Sequence, residues 1–214
     1  MKLLITRSEP WAAIEEYLPS TFEPVYQSFI KIEAHLPKTL PESEWIFFSS
    51  PTGVKVFLEC FDAEKIRDKK IAALGVGTAA KLMEFGIRPD FTGQGNKTAQ
   101  IGAAFKKTAG AQRVFFPLGD KSLKAVSAFV SNKIEAVIYR TLPIGDKAKS
   151  FDGVFFTSPS NVEGFLLENP LPPSQICLAI GPSTARSLSG KCGVLHSVKP
   201  KEMAKSLASF FLQS

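Results

Sequence analysis

The sequence predicts an α/β protein built as two similar lobes, each a parallel sheet flanked by helices, and three observations carry that expectation. Short runs rich in Ile, Val and Phe alternate with amphipathic segments along the chain, the pattern of strand and helix taken in turn. A strand, a small-hydroxyl turn and a helix start occur twice: "EWIFFSSPTGVKVFL" at 44–58 and "DGVFFTSPSNVEGFL" at 152–166. Each copy is followed at matched distance by a second strand and a Gly turn, "IAALGVGTAAKL" at 71–82 and "ICLAIGPSTARSL" at 176–188. Thr78 stands 27 residues after Pro51 and Thr184 stands 25 after Pro159, so motif and spacing repeat together.

Taken in order, the apolar runs place strands at 2–6, 44–48, 71–75, 113–116, 152–156 and 176–180. The amphipathic periods place helices at 9–18, 52–61, 78–85, 98–107, 121–131, 160–167, 183–189 and 201–212. Two longer stretches, "PVYQSFIKIEA" at 24–34 and "IEAVIYRTLPIG" at 134–145, alternate apolar and polar residues as strands exposed on one side do. Ser50 and Ser158 stand where an N-cap belongs, with Pro51 and Pro159 at the first helical position, where a missing N–H costs nothing. Gly77 or Thr78, and Gly181 with Pro182, hold the corresponding places in the second turn of each lobe.

In a parallel sheet such turns fall at the carboxyl edge, where ligands bind. Helix starts carry unpaired N–H groups that favour carboxylate or phosphate. Any one Ser-Pro or Gly-Pro starts a helix and need do no more. Four in matched positions point to a ligand cleft formed by the turns at 49–52, 75–78, 157–161 and 181–184.

Composition narrows the partner. The chain of 214 residues is 44% hydrophobic and 21% charged, enough to bury one large core or two small ones. A net charge of +6 and a pI near 9.2 favour an anionic partner. The basic clusters "IRDKK", "AFKKTAG" and "SVKPKEMAK" hold few aromatics, so solvated helix faces are expected and a nucleic-acid surface is not. No run is long enough for a membrane span, and "MKLLITRSEPW" lacks the apolar region of a signal peptide, which places the protein in the cytoplasm. Cys60, Cys177 and Cys192 have no paired spacing and are expected as buried thiols. His35 and His196 lie far apart without neighbouring ligands, so no metal is expected.

Two nucleotide motifs compete at the Gly turns. "GVGTAA" at 75–80 satisfies the dinucleotide pattern, with Asp90 as its candidate ribose acid, but it does not follow the first strand and "GPSTAR" drops the second glycine. "TGQGNKTAQ" at 92–100 resembles a phosphate loop, yet Asn96 occupies the glycine position before Lys97.

In chain order, "LLITRSEP", "WIFFSSPTGVKVFLE", "IAALGVGTAAKLMEFGIRPDFTG", "EAVIYRTLP", "GVFFTSPSNVEGFL" and "LAIGPSTARSLSG" resemble uroporphyrinogen-III synthases over essentially the whole chain. The resemblance implies two α/β lobes joined by a two-stranded β linker: 1–33 with 146–214 as one lobe, 37–136 as the other, and 34–36 and 137–145 as linker strands. It implies a cyclising hydro-lyase of tetrapyrrole (haem) biosynthesis. The substrate would be hydroxymethylbilane, an octacarboxylate, which loses its terminal hydroxyl to give an azafulvene. Attack at the substituted position of the last ring then forms a spiro intermediate, which fragments and recloses with that ring inverted, as uroporphyrinogen III. No cofactor takes part, and a monomer suffices.

Chemistry of this kind asks the protein to fold the substrate and stabilise shifting charge more than to attack it. The resemblance makes Tyr139, in "VIYRT", the proton donor to the departing hydroxyl; the alternative is a linker tyrosine packed on its ring face. It places Thr6, Arg7, Ser49, Ser50, Gly77, Thr78, Gly119, Ser158, Ser160, Gly181, Ser183 and Thr184 in substrate-binding loops. One departure stands out: many members carry an arginine a few residues after "FFPLG", where Leu123 stands here between Lys121 and Lys124. A lysine supplies the charge without the bidentate fork. A two-lobed, non-catalytic binding protein for an anionic metabolite would share the architecture and charge.

Overall fold

The computed structural model describes residues 1–95, 97–172, 174–192 and 194–197. The chain divides into two compact units, the first Met1–Lys31 with the chain from Leu142 onward, the second Ile32–Thr141. The described elements run β1 (Lys2–Ile5), α1 (Ala12–Glu15), β2 (Glu23–Tyr26), β3 (Ile30–Ala34), β4 (Trp45–Phe48), α2 (Pro51–Cys60), β5 (Lys70–Ala73), α3 (Val76–Glu84) and β6 (Phe91–Thr92). They continue with α4 (Thr98–Ala109), β7 (Val114–Gly119), β8 (Lys133–Pro143), β9 (Gly153–Phe156), α5 (Pro159–Glu168), β10 (Ile176–Ala179), α6 (Pro182–Leu188) and β11 (Val194–Ser197).

The first unit holds a five-stranded sheet ordered β11-β10-β9-β1-β2, parallel throughout. Its apolar strands bury both faces, as the continuous runs require. Leu3, Ile5, Phe155 and Leu178 pack on one side with Ile14 and Phe22, while Leu4, Val154, Phe156 and Ala179 pack on the other with Val162, Phe165 and Leu188. Phe165 is ringed edge-on by Phe29, Phe151 and Phe156, an arrangement aromatic quadrupoles favour.

The second unit holds a six-stranded sheet ordered β3-β8-β7-β4-β5-β6. Alternation along "WIFF" sends Ile46 and Phe48 toward α2 and α3, and Trp45 and Phe47 toward Phe105 of α4. Phe105 meets Trp45, Phe47, Phe91 and Phe116 with ring centroids 4.7–6.5 Å apart.

Several expectations are corrected. No α-helix forms over 121–131: Lys124 takes φ 53°, the Ser122 hydroxyl accepts from the Lys124 N–H at 3.3 Å, and only a 3-10 turn at Ser127–Phe129 follows. The helix expected at 9–18 shrinks to Ala12–Glu15 between Pro10 and Pro19, its continuation held by short-range turns such as Leu18 N–H to the Glu15 carbonyl. The stretch 24–34 splits at residues 27–29, β2 edging the first sheet and β3 the second. Cys60 is exposed rather than buried, because the buried face of α2 (Gly53, Val54, Val56, Phe57) ends before it and Phe61 takes the apolar contact. Cys177 is buried, which pushes its thiol pKa up, and Cys192 is half-buried. The helix expected at 201–212 lies outside the described residues.

Candidate active site

The two S/T-S-P turns fold alike. Ser50 and Ser158 are extended N-caps whose hydroxyls accept from the backbone N–H three residues on, Gly53 at 3.0 Å and Asn161 at 3.2 Å, with Pro51 and Pro159 opening α2 and α5. The Gly turns differ from them. Gly75 and Gly181 are the N-caps of α3 and α6 and bring no side chain to the helix start, so those N–H groups need an acceptor from elsewhere. Thr78, offered as a cap from sequence, and Thr184 sit within the first helical turn and are 5% and 1% exposed. Gly77 is exposed beside Thr78.

In the second unit the carboxyl edge of the sheet opens into two adjoining pockets of about 320 and 330 Å³ that share Leu74 and Thr98. Ser49, Ser50, Gly119, Lys121, Leu123 and Tyr139 line the first; Pro51, Gly75, Gly77 and Thr78 line the second. Sequence reasoning missed Thr98, Asp120 and Thr141 in this wall. Asp120 is invisible as a site residue because its work is on the backbone: its N–H donates to the Tyr139 carbonyl at 3.0 Å and its carboxylate accepts from the Thr141 N–H at 3.1 Å.

Tyr139 reaches the pocket through a break in register. Leu118 pairs with Val137 but Gly119 pairs with Tyr139, so Ile138 is a bulge residue, and Ile138 and Tyr139 both turn inward. The ring is packed, with 8% of the residue exposed, and the phenol oxygen stands 3.0 Å from Ser50 Oγ. Two glycines make room: a Cβ on Gly119 would fall 2.5 Å from Tyr139 Cζ, and one on Gly53 would fall 3.8 Å from Cε1. Burial raises the phenol pKa above 10, the Ser50 hydrogen bond opposes that, and the Asp120 charge adds to it.

Leu123 and its lysine neighbours stand at the rim of the first pocket. Leu123 is 92% exposed on the pocket rim, and Lys124 pairs with Glu135 at 2.8 Å, an interaction that, with Ser127, lowers the Glu135 pKa. Lys124 is thus engaged with protein, and Lys121 is an exposed residue of the pocket lining.

In the first unit, Thr6 is fully buried and its hydroxyl is spent on the fold. It accepts from the Thr157 N–H at 2.9 Å, while the Thr157 hydroxyl donates back to the Thr6 carbonyl, stitching the ends of β1 and β9. Arg7 is half-buried with its guanidinium 4.9 Å from the Trp11 ring centroid, a cation–π stack that fixes its direction. Ser160 is half-buried in the first turn of α5, and Ser183 is exposed in the first turn of α6.

The dinucleotide motif finds no support in the geometry. Asp90 is committed to the opposite end of β5, accepting from the Ile71 N–H at 2.8 Å, and cannot serve a ribose beside Gly75. Among the described residues no group of three His, Cys, Asp or Glu is placed to hold a metal, and no helix is long and apolar enough to cross a membrane.

Two α/β units with parallel strands and helix starts at the strand ends define a two-unit α/β protein. The sequence profile of uroporphyrinogen-III synthase HemD matches residues 14–209, and the chain belongs to the uroporphyrinogen-III synthase family, cyclising hydro-lyases of tetrapyrrole synthesis. The fold is similar to that of uroporphyrinogen-III synthetase from Helicobacter pylori, at 15% identity and TM-score 0.72, with 99% of each chain covered. It is also similar to a mutant uroporphyrinogen III synthase from Thermus thermophilus, at 16% identity and TM-score 0.53, covering 100% of this chain and 99% of that one. No curated protein matches the sequence.

Proposed function

We propose that this chain converts hydroxymethylbilane to uroporphyrinogen III, with Tyr139 as the proton donor to the departing hydroxyl. The observation that carries the assignment is the placement of the Tyr139 phenol, packed by two glycines and presented to the pocket at the carboxyl edge of the sheet. The phenol, ordinarily protonated at neutral pH and raised further by burial, has its proton available where the C–O bond must break. The Gly77 backbone N–H, the Ser49 hydroxyl and the Lys121 ammonium donate to substrate carboxylates around it. At the carboxyl edge of the first unit, Arg7, Ser158, Ser160, Gly181 and Ser183 are suited to hold carboxylates in the same way, while Thr184 is buried behind them. Thr6 supports that edge through Thr157 rather than touching the ligand. The protein acts as a cytoplasmic monomer.

Purified protein supplied with hydroxymethylbilane, without metal or nucleotide, will yield isomer III in place of the spontaneous isomer I. Tyr139→Phe keeps the ring and removes the proton; since general acid catalysis contributes about 10² to 10⁴ in rate and water can enter an open pocket, a fall of about 10² in kcat is expected. An unbiased isomer ratio from the parent protein refutes the assignment. Full activity of the phenylalanine variant returns Tyr139 to a packing role.

A further inference from the structure

We propose that Ser50 is a positioning residue for the reaction: its hydroxyl donates to the Tyr139 phenol oxygen, aims the phenol proton into the pocket, and steadies the phenolate once that proton has left. The inference rests on the synthase reading above. It begins from a difference between two otherwise matching turns.

Ser158 shows what this N-cap requires. Its oxygen accepts from the Asn161 backbone N–H at 3.2 Å and from the Asn161 side-chain amide at 3.1 Å, and the same side chain accepts from the buried Phe29 N–H at 2.8 Å. Every one of those bonds holds the fold. In the other turn the residue three after the serine is Gly53, and the place taken by an amide beside Ser158 is taken beside Ser50 by a phenol from β8. A cap needs no phenol, so the substitution of Tyr139 for an asparagine side chain is not explained by helix α2.

The 3.0 Å contact allows either hydroxyl to donate, and the proposal assigns the donor role to Ser50. Its oxygen already accepts from the Gly53 N–H at 3.0 Å, which polarises the hydroxyl and places it at the positive end of a ten-residue helix. With the Ser50 proton directed at Oη, the phenol proton is turned away from Ser50. Gly119 closes the other side, where a Cβ would stand 2.6 Å from Oη. The groups facing the phenol are then Ser50, which favours the phenolate, and Asp120, which disfavours it.

The step balances as follows. The Tyr139 O–H bond breaks and its proton goes to the substrate's terminal hydroxyl. The C–O bond breaks with its electron pair leaving in water, and the pyrrole nitrogen supplies the pair that forms the exocyclic double bond. The pyrrole N–H then returns a proton to the phenolate, giving the neutral azafulvene and restoring Tyr139.

The test uses Ser50→Ala, Ser50→Asn, which caps without a hydroxyl, and Ser50→Thr, which keeps cap and hydroxyl. With fluorotyrosine at the three tyrosines, fluorine NMR follows each phenol separately, Tyr139→Phe assigning the signal. The Tyr139 titration moves to higher pH in the alanine and asparagine variants and returns in the threonine variant. In the first two, kcat falls about tenfold with KM within about twofold of the parent, a part of the roughly 10² to 10⁴ that a general acid supplies, because Tyr139 keeps its proton. An asparagine variant with parental kcat and titration reduces Ser50 to a cap. A raised KM at unchanged kcat makes it a carboxylate ligand instead; either result overturns the proposal. If the parent fails to bias the isomer ratio, the synthase reading falls, while the NMR titration still judges the Ser50–Tyr139 pair.

Discussion

The turn after β9 and the turn after β4 begin from nearly the same letters, "FFTSPSN" and "FFSSPTG", and build the same N-capped, proline-opened helix. They part at the third residue after the serine. Asn161 spends its whole side chain tying α5 to Ser158 and to the backbone before β3. Gly53 has no side chain, and a tyrosine from another strand enters the space. One copy of a repeated unit thus keeps its polar turn for the fold, and the other opens its turn to a group that can exchange a proton.

The comparison breaks most severely at Asn161. Asn161→Gly, which copies Gly53 into the first unit, strands the buried Phe29 N–H and adds backbone freedom at the helix start, costing about 2 to 4 kcal/mol. A urea midpoint within experimental error of the parent would show that Asn161 is not the tie described here. Gly53→Asn runs the exchange the other way. A Cβ there stands 3.2 Å from Ser50 Oγ, so the new side chain competes for that hydroxyl and crowds the Tyr139 ring. Overpacking of this kind costs about 1 to 2 kcal/mol in stability, while kcat falls by about the tenfold expected of Ser50→Ala. Retained kcat would mean that the phenol does not depend on Ser50.

Much of this was legible in the chain. Runs such as "LLI", "WIFF" and "GVFF" are apolar at every position because their sheets are covered on both faces, and their strand assignment follows from that. The capping serines and prolines were legible because a cap is local chemistry. The bulge at Ile138 was not, since the register of β8 against β7 depends on two segments 20 residues apart. Periodicity alone also mistook 121–131 for a helix, where Lys124, Glu135 and Ser127 hold an irregular segment over the pocket. Thr6 stands at the strand end where sequence placed it, and only the structure reveals that its hydroxyl meets Thr157 across the sheet. Gly53 carried a signal that went unused, for setting the two copies one above the other puts it opposite Asn161.

A smaller effect sharpens the contrast between the serines. Ser158→Ala and Ser50→Ala each remove one N-cap, and each should cost about 1 kcal/mol in urea unfolding. Their kinetics should separate. Loss of Ser158 raises KM if its hydroxyl holds a carboxylate, and leaves the Tyr139 titration alone; loss of Ser50 lowers kcat and moves that titration. Identical kinetic profiles would erase the functional distinction between the turns.

The smallest expected effect is on stability at alkaline pH. The Tyr139 phenol has a folded pKa raised above its ordinary value of 10, chiefly by burial, so the folded protein holds that proton more firmly than the unfolded chain does. Its contribution is fully present below pH 10 and is lost as pH rises through the folded pKa. Tyr26, raised by burial and by Glu15, and the buried Cys177 of the first unit act in the same direction, so the parent's alkaline loss is a sum. Asn161 does not titrate, and the turn it serves should contribute nothing to the slope. Urea midpoints measured from neutral pH upward should therefore fall less steeply for Tyr139→Phe than for the parent, with Tyr26→Phe as a reference for the first unit. Equal slopes for the parent and Tyr139→Phe would place the phenol in contact with water in the folded state, and with it the proton that burial is argued to keep for the substrate.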